Sequence, residues 1–163
     1  MNDKKVLFLV QAAAIAAVYI VLTMIFAPIS FGEVQIRISE ALTVLPFFTP
    51  AAIPGLFVGC LLGNFLGGAI LPDIIFGSLA TLIGAVFSYV LGRNKFLVPV
   101  PPIVANVLIV PFVLRYGYGV NLPIPFMMLT VGAGEVVSCG VLGLILLFAL
   151  DRYRGKIFAG SQT

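Results

Sequence analysis

Histidine and tryptophan are absent from this chain, cysteine occurs only twice, and charged residues make up 9% of its 163 positions. Without histidine or a Cys-x-x-Cys pair, a zinc or haem centre lacks its usual ligands. Cys60 and Cys139 both lie in apolar stretches, which suits buried packing better than a disulfide. The sequence holds no Gly-x-x-x-x-Gly-Lys-Ser/Thr loop, so this chain does not bind ATP by that route, and it holds no Gly-x-Ser-x-Gly elbow. The net charge of +3 includes no basic run long enough to follow a phosphate backbone, which argues against nucleic acid as a partner. No internal repeat is visible, and this weighs against a carrier built from inverted halves. Most telling is the shortage of charge. An ordinary soluble domain carries roughly 25% charged residues, enough to cover its surface against water.

What the chain has instead is apolar residues, 61% of the total, with a mean hydropathy of +1.21. The solvent around most of such a chain is hydrocarbon, and the expected fold is a single all-α integral membrane domain over residues 1–163. A span needs ~20 apolar residues, punctuated by Gly, Pro and charge. Lys4 and Lys5 precede the first apolar run as they would in a signal peptide. That run continues to Ala27 with no small-residue cleavage site, and is read as a retained span. Plain spans follow at about 74–91, 96–114 and 126–150. Between them, the apolar stretch 42–69 is broken by Pro46, Pro50 and Pro54.

The basic residues decide how to count the broken stretch, because cytoplasmic loops carry the excess of Lys and Arg. Two spans there place Lys4, Lys5, Arg93, Lys95, Arg152, Arg154 and Lys156 on one side, with only Arg37 and Arg115 opposite. One span flips every later loop and puts most of the basic residues outside. The expectation is therefore six spans, about 6–27, 37–48, 51–66, 74–91, 96–114 and 126–150, with both termini cytoplasmic. The second is too short to cross ~30 Å alone at 1.5 Å per residue, so it must be shielded by protein.

Before it, polar Glu33, Gln35, Arg37 and Ser39 alternate with apolar Val34, Ile36 and Ile38. Period-two alternation predicts an extended segment, either a lid folded over a cavity or an amphipathic interfacial loop. Polar side chains inside the spans are costly in hydrocarbon and mark candidate sites. Arg37 and Glu40, three apart at the start of the short helix, share a face and are placed to pair. Glu135, near the middle of the outer half of the last span, has no basic neighbour in sequence. It needs a partner from another helix, a ligand or a proton. Asp73 falls in the first turn of the fourth helix, where the helix dipole favours a carboxylate and capping alone is a sufficient reason for it. Asn64 reads as a C-terminal cap and Asn106 as an interhelical hydrogen bond, or else both as ligand contacts. In the first span Ala12 with Ala16, and Ala13 with Ala17, form small-residue pairs that admit a close helix, from this chain or from another. A polar cavity in a bundle without an engine of its own suggests a binding subunit rather than an enzyme, drawing energy from partners.

Three blocks carry a resemblance: Gln35-Ile-Arg-Ile-Ser-Glu-Ala-Leu-Thr-Val-Leu-Pro46, Ile53-Pro-Gly-Leu-Phe-Val-Gly-Cys-Leu-Leu62 and Asp73-Ile-Ile-Phe-Gly-Ser-Leu-Ala-Thr81. With Gly134-Glu135, they resemble the QueT-type queuosine-precursor transporters, substrate-binding S components of energy-coupling-factor (ECF) importers. The resemblance implies a six-helix fold in a bacterial cytoplasmic membrane and a pocket near the outer surface. It also implies partnership with a membrane coupling subunit and two cytoplasmic ATPases, and no cofactor held by this chain itself. S components dock on the coupling subunit through small residues of the first helix, which favours that use for Ala12, Ala13, Ala16 and Ala17. The implied ligand is queuine or a preQ-type 7-deazaguanine, whose guanine-like edge presents two adjacent N–H donors to one carboxylate. Glu135 is assigned to that edge. Arg37 and Glu40 are assigned to the lid, and Asp73, Asn64 and Asn106 to the carbonyl, pyrrole N–H or 7-substituent, with Glu40 or Asp73 meeting a cationic aminomethyl group. The rival reading from another class is an autonomous proton-coupled carrier in which Glu135 titrates.

Overall fold

A computed structural model describes residues 3–30 and 36–157, and among these every regular element is helical. Helix α1 (Asp3–Ile25) is followed by a short α2 (Ala27–Ser30), a 3-10 helix (Ile38–Phe47), α3 (Ala52–Leu66) and α4 (Leu71–Val90). Helix α5 (Val100–Phe112) opens into a π turn at Val113–Gly117. Helices α6 (Ile124–Glu135) and α7 (Gly143–Asp151) are joined by a π-helical stretch at Val136–Leu142, and α8 (Arg154–Ile157) follows. Among the described residues, four rods are long and apolar enough to cross a membrane: Asp3–Ile25, Leu71–Val90, Lys95–Gly117 and Ile124–Asp151. Ile38–Phe47 and Ala52–Leu66 are apolar but shorter.

Proline marks the starts of these helices, where its missing N–H costs nothing and its fixed φ suits the first turn. Pro72 opens α4, Pro101 opens α5 and Pro125 opens α6. Pro111 lies inside α5, and the helix widens into its π turn just beyond that break in the hydrogen-bond ladder. Pro46 is accommodated differently, within a 3-10 helix of ten residues. At ~2 Å per residue this helix reaches about 20 Å rather than the ~15 Å expected of an α-helix. Residues 39–46 are all buried in it, so the shielding its length demands comes from the surrounding helices. The expected extended segment is correspondingly cut short. Arg37 is extended (φ −93°, ψ 99°), but Ile38 and Ser39 belong to the 3-10 helix. Phe31–Gln35, including Glu33, lie outside the described residues.

The helices pack through glycine, as is usual where the surrounding lipid is as apolar as the side chains and close approach is what holds helices together. Gly55, Gly59 and Gly63 form a stripe on α3 against Ala12, Ala16, Tyr19 and Thr23 of α1. A Cβ on Gly55 would lie 2.7 Å from the Ala12 carbonyl, and one on Gly59 would lie 2.8 Å from the Tyr19 Cβ. Gly84 admits Pro102 between α4 and α5 in the same way, at 2.6 Å. The outward faces are apolar, with Phe65, Val90, Leu129 and Ile145 all exposed, while carboxylates, hydroxyls and amides lie inside. That polarity is the reverse of a water-soluble bundle and matches a hydrocarbon solvent.

A buried polar cluster as candidate binding site

All six side chains expected at the site are buried: Arg37, Glu40, Asn64, Asp73, Asn106 and Glu135. They come from five different elements and form two tiers along α4. Asp73 in its first turn belongs to one tier and Thr81 to the other. Eight residues at ~1.5 Å each separate them by about 12 Å along the helix axis.

The deeper tier holds two carboxylates. Glu40 projects from the 3-10 helix, and its Oε1 accepts from the Tyr19 hydroxyl of α1 and from Thr81 Oγ1 at 3.3 Å. Among the described residues, its Oε2 is buried without a hydrogen-bond partner. Glu135 is the last residue of α6, just before the π-helical stretch. That stretch carries Cys139 round so that its thiol donates to Glu135 Oε2 at 3.1 Å. One oxygen of each carboxylate and the Cys139 sulfur all lie within 4.8 Å of one another. Asn106 of α5 sits beside both carboxylates, yet its Nδ2 completes no hydrogen bond. Ser138 Oγ is likewise buried and unpartnered. Unsatisfied buried polar atoms cost ~1–3 kcal/mol each, so a cluster of them is a place where a polar ligand repays its own desolvation. π-helical insertions of this kind are frequent at functional sites.

The other tier is organised by Asp73. Its Oδ2 accepts from Tyr118 Oη at 3.0 Å and faces Arg37 Nη2 at 3.5 Å, while its Oδ1 has no partner among the described residues. Burial first, and then the Asp73 charge, push the Tyr118 phenol up from its ordinary range, so it remains a donor. Asn64 Nδ2 bonds the Asp73 carbonyl at 3.3 Å and touches Cys60 Sγ at 3.6 Å. A Cβ added to Gly77 would lie 3.1 Å from Asp73 Oδ1 and 3.2 Å from Asn64 Nδ2, so a side chain at this position would crowd both.

Three sequence expectations change here. Arg37 has its ion pair with Asp73, while the carboxylate three residues along, Glu40, is held by hydroxyls. Spacing along one helix says nothing of the residues that α4 brings alongside. Asp73 lies in the first turn of α4 as expected, but it makes no side-chain cap bond, and its carboxylate is turned to Arg37 and Tyr118. Asn64 ties α3 to α4 through its side chain rather than closing its own helix. The four alanines of α1 divide. Ala12 and Ala16 pack inward on Gly55 and Gly59, whereas Ala13 and Ala17 face outward. The buried cysteines are free thiols, in keeping with their apolar surroundings in the sequence.

The sequence alone does not assign Tyr19, Thr81, Gly77 or Tyr118 to the site. For Tyr19 a signal existed: Ala12, Ala16, Tyr19 and Thr23 recur at helical spacing and form one stripe. The site is distinct from an apolar groove of ≈ 470 Å³ between α4 and α5, lined by Pro72, Phe76, Leu108, Phe112 and Tyr116 among others. That groove presents hydrocarbon to hydrocarbon and offers nothing to orient a polar molecule.

Residues 9–152 match the family described as the QueT transporter. The chain is also 38% identical over 85 residues to the queuosine precursor transporter QueT of Lactococcus lactis subsp. cremoris (strain MG1363). That alignment covers 51% of this chain and 50% of the relative, so the chain spans about half the length of the curated relative it matches. No solved structure matches.

Proposed function

Because the chain belongs to the QueT transporter family, we propose that it captures a queuosine precursor of the 7-deazaguanine type at the polar cluster, as the substrate-binding subunit of an ECF-type importer. One observation carries the reading. In an otherwise apolar bundle, Glu135 and Glu40 converge beside Asn106 with acceptor and donor atoms left unpartnered. A carboxylate in a dry site accepts two adjacent N–H groups at once, and it rejects analogues lacking them far more strongly than apolar contact does. Glu135 takes that role on the guanine-like edge. In the lipid bilayer of a bacterial cytoplasmic membrane the chain crosses six times, with both termini inside. The clustering of Lys95 with Asp151, at 2.7 Å, and of Arg154 over the Phe47 and Phe48 rings supports a single basic end.

Binding by the purified chain to queuine, the aminomethyl and cyano precursors, and guanine tests the substrate class. At least one precursor is expected to bind at least about tenfold tighter than guanine, a difference of ~1.4 kcal/mol. If none does, the substrate assignment is wrong. The buried carboxylate pair also suits a proton-coupled carrier working alone. Uptake into liposomes driven by a pH gradient, with no ATPase present, would replace the subunit reading with that one.

Partner docking assigns the outward stripe of α1, Ala13 and Ala17, to a membrane coupling subunit that works with two cytoplasmic ATPases. Ala13→Trp or Ala17→Trp is expected to leave precursor binding by the isolated chain intact. The same variants should lose co-purification with the coupling subunit, and with it uptake. Loss of precursor binding in the isolated chain would place this face in an internal contact instead.

A further inference from the structure

Among the described residues, each tier of the cluster ends in an unpartnered carboxylate oxygen. Glu40 Oε2, with Glu135 beside it, closes the deeper end, and Asp73 Oδ1 closes the other. Both residues are about 1% exposed, so neither oxygen is satisfied by bulk water. Asp73 and Thr81, whose hydroxyl bonds Glu40, stand about 12 Å apart along the axis of α4, so the two oxygens mark opposite ends of the cluster. We propose that Asp73 is a specificity-determining residue that reads the 7-substituent, selecting precursors whose substituent donates a hydrogen bond, above all a protonated amine, over those whose substituent only accepts.

This inference rests on the proposed precursor reading, with the guanine-like edge at Glu135, and adds the opposite end of the ligand. Three observations support it. Asp73 Oδ2 is occupied by Tyr118 Oη and Arg37 Nη2, which fixes the carboxylate plane and leaves Oδ1 as its free acceptor. Gly77 keeps a side chain away from Oδ1, since a Cβ there would crowd both Asp73 and Asn64, at 3.1 and 3.2 Å. The Arg37 contact is long for a charge-assisted bond, at 3.5 Å against the usual ~2.7–2.9 Å, so the carboxylate is incompletely neutralised and retains affinity for a cation. A nitrile presents only a lone pair to that oxygen. An ammonium presents protons and a charge.

The substitution Asp73→Asn separates this from a purely structural role. Tyr118 and Arg37 both donate, so they hold the amide carbonyl in the place of Oδ2 and turn the NH₂ into the place of Oδ1. A donor then meets the ammonium and an added donor meets the nitrile. The measurement is the affinity of the purified full chain for 7-aminomethyl-7-deazaguanine and for 7-cyano-7-deazaguanine. The original protein is expected to favour the aminomethyl compound by at least about tenfold, and Asp73→Asn to bring the ratio to about unity or below. Gly77→Ala, which crowds Oδ1, should lower the ratio without touching any charge, and serves if Asp73→Asn does not fold. A ratio that is unchanged in folded Asp73→Asn or Gly77→Ala protein, or no preference in the original, overturns the assignment of Asp73. If the original protein binds neither compound better than guanine, the substrate class itself fails, a different and recognisable result.

Discussion

Glu135→Gln is expected to lose at least about tenfold in precursor affinity while the protein remains folded. The substitution keeps the size of the side chain but exchanges one acceptor oxygen for an NH₂, so one of the two donors on the ligand edge would face another donor. Mispaired buried polar groups cost ~1–3 kcal/mol, and 1.4 kcal/mol is tenfold in affinity. The structure sharpens the argument. Cys139 Sγ already occupies Glu135 Oε2 at 3.1 Å, and the second carboxylate stands within 4.8 Å. An amide therefore has little freedom to turn its carbonyl toward both tasks. Folding is expected to survive because Gln matches Glu in size and its carbonyl can still accept from Cys139. Glu135→Ala should be at least as damaging to binding. Calorimetric or equilibrium binding on detergent-purified protein, with monodispersity as the folding check, decides the matter. Unchanged affinity in folded Glu135→Gln would remove this residue from the site and move suspicion to Glu40 and Arg37.

The second large effect is on the fold itself. Gly55→Val or Gly59→Val is expected to destabilise the bundle by about 3 kcal/mol or more, the upper range for forcing carbon into a closed contact. At Gly55 even the first added carbon meets main chain, the Ala12 carbonyl at 2.7 Å, which cannot rotate away. At Gly59 it meets Tyr19 Cβ and Ala16 Cα at 2.8 and 3.1 Å, so relief requires α1 to move off α3. Tyr19 carries the hydroxyl that bonds Glu40, so the displacement also loosens the site. Gly155→Ala is the control, since a Cβ there has nothing within 4 Å. Thermal unfolding in detergent should show a clear drop for both valine variants and none for the control. A Gly55→Val protein as stable as Gly155→Ala would mean that α1 and α3 do not pack in this register.

The membrane character, the helical class and the approximate limits of each apolar segment follow from the sequence alone. They are set by local quantities: residue hydropathy summed over ~20 positions, and proline and charge at the ends. The same reasoning picks out Arg37, Glu40, Asn64, Asp73, Asn106 and Glu135, because an ionisable or amide group among apolar neighbours is conspicuous whatever the fold. Partners are another matter. That Arg37 meets Asp73, that Glu40 is held by Tyr19 and Thr81, and that Ala12 and Ala16 turn inward while Ala13 and Ala17 turn outward depend on which helices are neighbours and at what rotation. A fourfold glycine spacing on α3 permits a close helix but does not say which one. The 3-10 winding of residues 38–47 and the π-helical stretch after Glu135 are likewise tertiary outcomes. Each is an unfavourable local hydrogen-bond geometry that the chain adopts only because surrounding helices bury it, so no local propensity in the sequence announces it.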